Sequence, residues 1–339
     1  MKPCYAALCC YFGQWPLHFP YWLKSCAANL DIDFLLVTDI PMPSTCSVPS
    51  NVHVVPMSFA DVQLLVGQKF PDVSVALDRP YKLCDFKTAY GYIFEDLFLG
   101  YDYWGYYDID TVWGKITDFI PNNTDNHLLK IFPCGHLSFI RNVAPWNRVF
   151  ELVDKVVDVP CLNNMEGKSV VSWRVCFASD ESHYYDEEGG LEPLFSHFEQ
   201  TGELAAKDLY LGVDFDNILP PWRFDHFRSI NFPEKSHYLL YMYEEGTLSR
   251  VYLKGLKIKS EAVSYVHLSR RSFKVPGDGV VGNRFVILPD RFENNLTLNF
   301  GKMLWLGRPR YLSNFCRRIM RKFSRKIGFI LAAKDFRLV

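Results

Sequence analysis

Uniformly apolar runs and helical stripes alternate along the first 110 or so residues. Residues 5–12 (YAALCCYF) are apolar throughout and stop at Gly13, the pattern of a buried strand. Tyr21, Trp22, Ser25, Cys26 and Asn29 predict a helix around residues 20–30. A second strand is predicted over residues 33–38 (DFLLVT), closed by Asp39 and Pro41, and a short third over 51–55. Ser58 with Asp61 three residues on reads as a helix N-cap, and Phe59, Val62, Val66 and Phe70 follow at helical spacing. The strongest stripe covers residues 84–98. There Phe86, Ala89, Tyr90, Ile93, Phe94, Leu97 and Phe98 predict one continuous helix ended by Gly100. Residues 103–107 (YWGYY) then have strand length and lead into Asp108-Ile109-Asp110.

This alternation predicts an α/β fold, a mostly parallel sheet with helices on both faces. The second half is less regular. It predicts a strand over 135–140 (GHLSFI), a helix over 145–157, a hairpin over 237–254 around Glu244-Glu245-Gly246, and a strand over 263–268.

Composition adds bounds. The 339 residues suffice for one large α/β domain with appendages or for two modest ones. Hydrophobic residues at 49% and charged residues at 22% exclude wholesale disorder. The aromatic share of 16% suits a core and also carbohydrate or nucleotide pockets. The net charge of −1 conceals a segregation. From Arg308 onward ten Lys or Arg face one acidic residue, giving a tail near +9 on a body near −10. The ten cysteines contain no C-x-x-C pair. The first apolar run is too short for a signal peptide, and no window has membrane-spanning length. Reduced thiols and a cytoplasmic protein are expected.

Candidate chemistry centres on paired aspartates. Three D-x-D triplets occur: Asp31/Asp33, Asp108/Asp110 and Asp214/Asp216. Ligands of open α/β sheets bind beyond the carboxyl ends of strands. Asp31/Asp33 opens its strand, and no clear strand feeds Asp214/Asp216, so Asp108/Asp110 is the triplet in the right place. Two carboxylates at an apolar strand end repel each other, and a divalent cation with oxygen preference relieves that repulsion. The competing reading is that both merely cap the following turn.

The segments YKLCDFKTAYGYIF (81–94), YDYWGYYDIDTVWGKI (101–116), GHLSFIRN (135–142) and YVHLSRRSF (265–273), in that order, resemble a bacterial family of GT-A-fold glycosyltransferases of capsule and O-antigen biosynthesis, largely known only as a domain of unknown function (DUF6625-like). CYFGQWP and LLVTD are similar to that family's first two strands. The resemblance implies a GT-A domain over residues 1–275, with a nucleotide-binding half to 116 and an irregular α+β acceptor half over 117–275. Residues 276–339 would be a C-terminal extension. It implies a nucleotide-sugar donor, a UDP-sugar first, and Mn²⁺ or Mg²⁺. Asp110 would ligate the metal. Asp108 would reach the ribose, or the metal through water. His267 would be a further ligand, and Arg270 and Arg271 would face the diphosphate. Lys82, Asp85 and Lys87 would serve the nucleotide, and His136, Arg141 and Asn142 would lie beside the donor sugar. On the residues alone, His267 equally suits a hydrogen-bonded core position and the lysines a solvated pair.

Glycosyl transfer with inversion needs a carboxylate base. Asp180 and Glu181, after the WRVCFAS run, are the candidates, with a plain polar loop as the alternative. In the tail, Leu312, Phe315, Ile319, Phe323 and Ile327 recur at helical spacing among five basic residues, a basic amphipathic helix suited to an anionic membrane surface. Packing on the body is the rival, and nucleic-acid binding is not expected. The functional expectation is transfer to a glycan or lipid-linked glycan at the inner face of the cytoplasmic membrane. The alternatives are a non-catalytic nucleotide- or carbohydrate-binding module and, less suited for want of a Gly-rich N-terminal loop, a nucleotidyltransferase.

Overall fold

The computed structural model describes residues 3–120, 128–132, 135–157, 170–183, 185, 190–201, 209–210, 239–268, 273–277, 281–288 and 291–306. Arg270, Arg271, the Asp214/Asp216 triplet and the basic tail lie outside the described residues.

Strands β1 (Tyr5–Cys10), β2 (Ile32–Thr38), β3 (Val52–Pro56) and β4 (Tyr103–Tyr107) are parallel neighbours in the order β3-β2-β1-β4. The short β5 (Thr111–Trp113) follows the D-x-D. Beyond β4 the main sheet continues through β7 (Leu137–Arg141), antiparallel to it, then β6 (Lys130–Ile131) and β8 (Leu209–Tyr210). The fold is therefore mixed α/β around a partly parallel sheet.

Alternate residues of the buried strands serve opposite layers, as strand geometry requires. Ala6, Leu8, Leu35, Val37, Trp104 and Tyr106 pack on one face beneath helix α2 (Phe59–Lys69) and the segment that follows it. Tyr5, Ala7, Phe34, Leu36 and Tyr107 pack on the other against Phe19 and Trp22 of α1 (Phe19–Cys26). Helix α2 starts with the predicted capping box: Asp61 N–H donates to Ser58 Oγ and Ser58 N–H donates back to Asp61.

The predicted continuous helix over 84–98 is broken. Turns of 3-10 helix at Pro80–Lys82, Lys87–Ala89 and Glu95–Phe98 alternate with α3 (Leu83–Phe86) and α4 (Tyr90–Ile93). A regular helix would turn one face to the core. Here every residue from Leu83 to Gly91 except Cys84 is buried, so the segment is enclosed all round and its side chains answer to separate partners. Gly91 lets the segment approach the sheet: a Cβ there would lie 2.4 Å from Trp104 Cε2. The helix expected over 145–157 is likewise segmented, with α5 (Val149–Leu152) between 3-10 turns at Trp146–Arg148 and Val153–Lys155. Helices α6 (Trp173–Ala178) and α7 (Leu191–Thr201) complete this layer.

A second, antiparallel sheet has the order β11-β10-β9-β13-β14. Its predicted hairpin joins β9 (Leu239–Glu244) to β10 (Thr247–Lys254) through Glu245 and Gly246, both at positive φ (49° and 89°), the turn that matches strand twist. Strand β11 (Lys257–Ala262) extends it outward, and β12 (Tyr265–His267) returns to pair with β5. Strands β13 (Arg284–Ile287) and β14 (Phe292–Asn294) pair on the other side of β9, and α8 (Phe300–Leu306) buries Met303 against this sheet. Both β13 and β14, which fall in the extension expected from residue 276, belong to this sheet. These apolar strands are short and carry little pattern, but they complete the core around Phe285, Ile287 and Phe292. No helix among the described residues is long and apolar enough to cross a membrane.

Candidate metal and donor site

Backbone register builds the site. The chain leaves β4 at Asp108, bends through Ile109 and Asp110, and re-enters a strand at Thr111, whose hydroxyl donates to Asp108 O at 2.6 Å. Because β5 pairs with β12 so that Thr111 stands opposite His267, the late histidine is delivered beside the D-x-D. Leu268 N–H donates to Asp110 O at 2.7 Å and closes that corner. On the other side β7 opposes β4 with Leu137 facing Tyr107, which sets His136 next to Asp108. Asp108 N–H donates to His136 O at 3.1 Å.

The side chains converge accordingly. Asp108, His136 and His267 each offer a ligand atom, all within 4.8 Å of one another. The two imidazoles stack with centroids 3.5 Å apart. His267 Nε2 lies 3.3 Å from Asp110 Oδ1. His267 Nδ1 is buried and has no hydrogen-bond partner among the described residues. Lys87 Nζ lies 2.8 Å from Asp108 Oδ1 and donates to Gly135 O at 2.9 Å, which holds the first carboxylate. Nitrogen and oxygen donors gathered this closely suit a divalent cation of mixed N/O preference.

The electrostatics agree. Burial alone would raise the Asp110 carboxyl, but His267 first, then His136 and His18, outweigh it and hold it well below the usual carboxylate range. Asp108 pushes the buried Cys9 thiol further up, after burial itself. His18 is driven down to about 4 by burial, against the opposing pull of Asp110.

His18 is a participant that the sequence reading missed. It stands just before α1, is 5% exposed, and its Nε2 has no partner among the described residues. Its ring stacks on Phe292 and meets Phe273 edge-on. A histidine 90 residues upstream of the D-x-D, with no periodic signal, could be found only through the packing of α1 under β5. His136 was expected beside the donor sugar; the structure brings a ligand atom of it within 4.8 Å of those of Asp108 and His267.

Other candidates do not reach this cluster. Lys82 and Asp85 are each 0% exposed and paired at 2.8 Å. Lys82 Nζ also donates to Cys176 O and Glu181 O, and Asp85 accepts from His183 N–H and Tyr185 N–H. No atom of either is left for a nucleotide, so the expected binding pair is corrected to a buried pin that ties the loop after α6 to α3. Asp180 and Glu181 lie on that loop with exposed side chains; their main-chain carbonyls accept from Arg79 and Lys82. Arg141 and Asn142 stand at the opposite end of β7 from His136, about 17–20 Å away at strand rise. There Asn142 donates to Phe98 O and Tyr101 O. Asp33 is engaged by His53 and Tyr101 at the start of β2.

Among solved structures that match is the apo form of mouse xyloside xylosyltransferase 1, 10% identical, covering 78% of this chain and 97% of that one at a TM-score of 0.35. An overlay that loose assigns neither a fold nor an activity. No curated protein matches the chain in sequence. The profile of one family matches residues 7–296, which span the main sheet, the D-x-D, His136, His267 and the second sheet; the chain belongs to DUF6625, a family of unknown function.

Proposed function

We propose that the protein is a metal-dependent glycosyltransferase that takes a sugar from a nucleotide-sugar, a UDP-sugar being the first donor to test. The acceptor would be a glycan or lipid-linked glycan of surface-polysaccharide biosynthesis. The observation that carries this reading is the convergence of Asp108, His136 and His267, with Asp110 against His267, at the carboxyl end of β4. The order of sequence motifs that resembles GT-A glycosyltransferases supports the same reading, with the nucleotide side formed by the sheet up to Ile116.

In this proposal Asp108, Asp110, His136 and His267 hold Mn²⁺ or Mg²⁺, and the imidazoles favour Mn²⁺. A bound divalent ion there would offset charge that develops on the departing diphosphate. Lys87 keeps Asp108 oriented and offsets part of the pair's negative charge. Arg270 and Arg271, three and four residues past β12, supply further positive charge to the diphosphate. Asp180 and Glu181 are not assigned as base, because their loop is held by its carbonyls and their carboxylates face solvent.

The test incubates the protein with a panel of nucleotide-sugars and Mn²⁺ and measures free nucleoside diphosphate, with and without a chelator. Metal-dependent release, lowered at least about a hundredfold in Asp110→Ala, is expected. Tight metal–nucleotide binding with no turnover on any acceptor would replace the enzyme with a non-catalytic binding module.

A further inference from the structure

One edge of the five-stranded sheet gathers exposed apolar side chains. Strand β10 turns into β11 through Gly255, at φ 60°, and Leu256, which is 84% exposed. Ile258 follows on β11, the outermost strand, and is also exposed. Register places Ile258 opposite Leu253. Leu253 packs with the cluster that receives Met303 and Leu306 of α8, so Ile258 stands on the sheet face that α8 covers. Helix α8 lies against β11 and leaves Leu304 and Trp305 outside, the latter 63% exposed.

The same edge is basic. Lys254, Lys257, Lys259 and Lys302 are all exposed, and the one acidic residue of β11, Glu261, is paired with the buried Arg250. Strand alternation puts Lys257 and Lys259 on the sheet face opposite Ile258 and α8, so the lysines flank the apolar edge from its other side. Four exposed lysines thus stand at one edge of a body whose net charge is near −10. Lysines on an outer strand block edge-to-edge pairing, which accounts for Lys257 and Lys259. That role does not call for large apolar side chains as exposed as Leu256 and Trp305. Apolar tips among lysines are the pattern of a surface that inserts shallowly into a headgroup layer while its ammonium groups meet anionic lipid. The chain also passes from α8 straight into the segment with ten Lys or Arg, and stable attachment through weak anchors takes two signals.

We infer that the edge formed by the β10–β11 turn, β11 and the outer face of α8 docks on an anionic lipid membrane. This interaction is independent of the site at Asp108–Asp110, so vesicle binding and donor turnover fail or succeed separately. The full chain is co-sedimented with phosphatidylcholine vesicles, with or without phosphatidylglycerol. Binding to the anionic vesicles alone is expected. The double variant Leu256→Ser/Trp305→Ser, basic tail intact, should partition at least about tenfold less. Lys257→Gln and Lys259→Gln should each lose roughly fivefold. All four positions are exposed, and matched thermal melts will show the fold intact. Equal binding to neutral vesicles, no binding at all, or undiminished binding of both the double variant and the lysine variants would overturn the proposal.

Discussion

Lys82 and Asp85 show how a residue that looks like a ligand-binding cation can belong wholly to the fold. Removing one member of a buried ion pair leaves the other charge uncompensated, at a cost of about 3–5 kcal/mol. Lys82→Met should therefore lower stability by that order in denaturant titration, while the folded fraction keeps its metal affinity. Unchanged stability with lost nucleotide binding would return Lys82 to a ligand role. His18 gives a second prediction at this scale. Its folded value of about 4 lies below the ~6.5 of an unfolded histidine, so between these values the unfolded chain binds the extra proton. Its contribution is complete above pH ~6.5 and is lost as pH falls towards 4, about 3 kcal/mol in all. Stability measured against pH should fall less steeply over that window in His18→Gln. An identical slope would remove His18 from the account.

At the scale of elements, the sequence was most readable where burial is one-sided or total. The runs at β1, β2 and β4, the Ser58–Asp61 cap of α2, and the Glu245-Gly246 hairpin lie within a residue or two of where their patterns put them. The segment expected as one helix over 84–98 is broken because i, i+3, i+4 spacing of apolar residues does not distinguish one helix from successive α and 3-10 turns enclosed all round. That irregularity is functional in the account, since it releases Lys82 and Lys87 to different partners, the loop after α6 and Asp108. Close approach to the sheet holds it in place. Gly91→Ala should cost about 1–3 kcal/mol, because Trp104 must move, and Gly105→Ala at least as much, because its Cβ would lie 2.3 Å from Ser138 O. Wild-type melting temperatures in both would contradict the packing described.

At the scale of the molecule, the site is assembled from segments far apart in sequence: β4, the start of β7, β12, and the turns at Lys87. The D-x-D stood out because an apolar strand delivers it, and His267 through the family resemblance, since on the residues alone it equally suited a core position. What could not be read was the meeting of His267 with His136, which depends on two antiparallel pairings, β5 with β12 and β4 with β7. The second sheet's use of residues 284–306 was hidden for a related reason, since strands of three or four residues carry too little period to be seen. The central claim is that these separate segments close one divalent-cation site. Manganese binding followed by electron paramagnetic resonance, with uridine diphosphate present, tests it most directly. One Mn²⁺ per chain is predicted for the wild type, with binding lost in both Asp110→Ala and His267→Ala while their melts match the wild type. Binding undiminished in both variants, or no Mn²⁺ bound by the wild type, would contradict it.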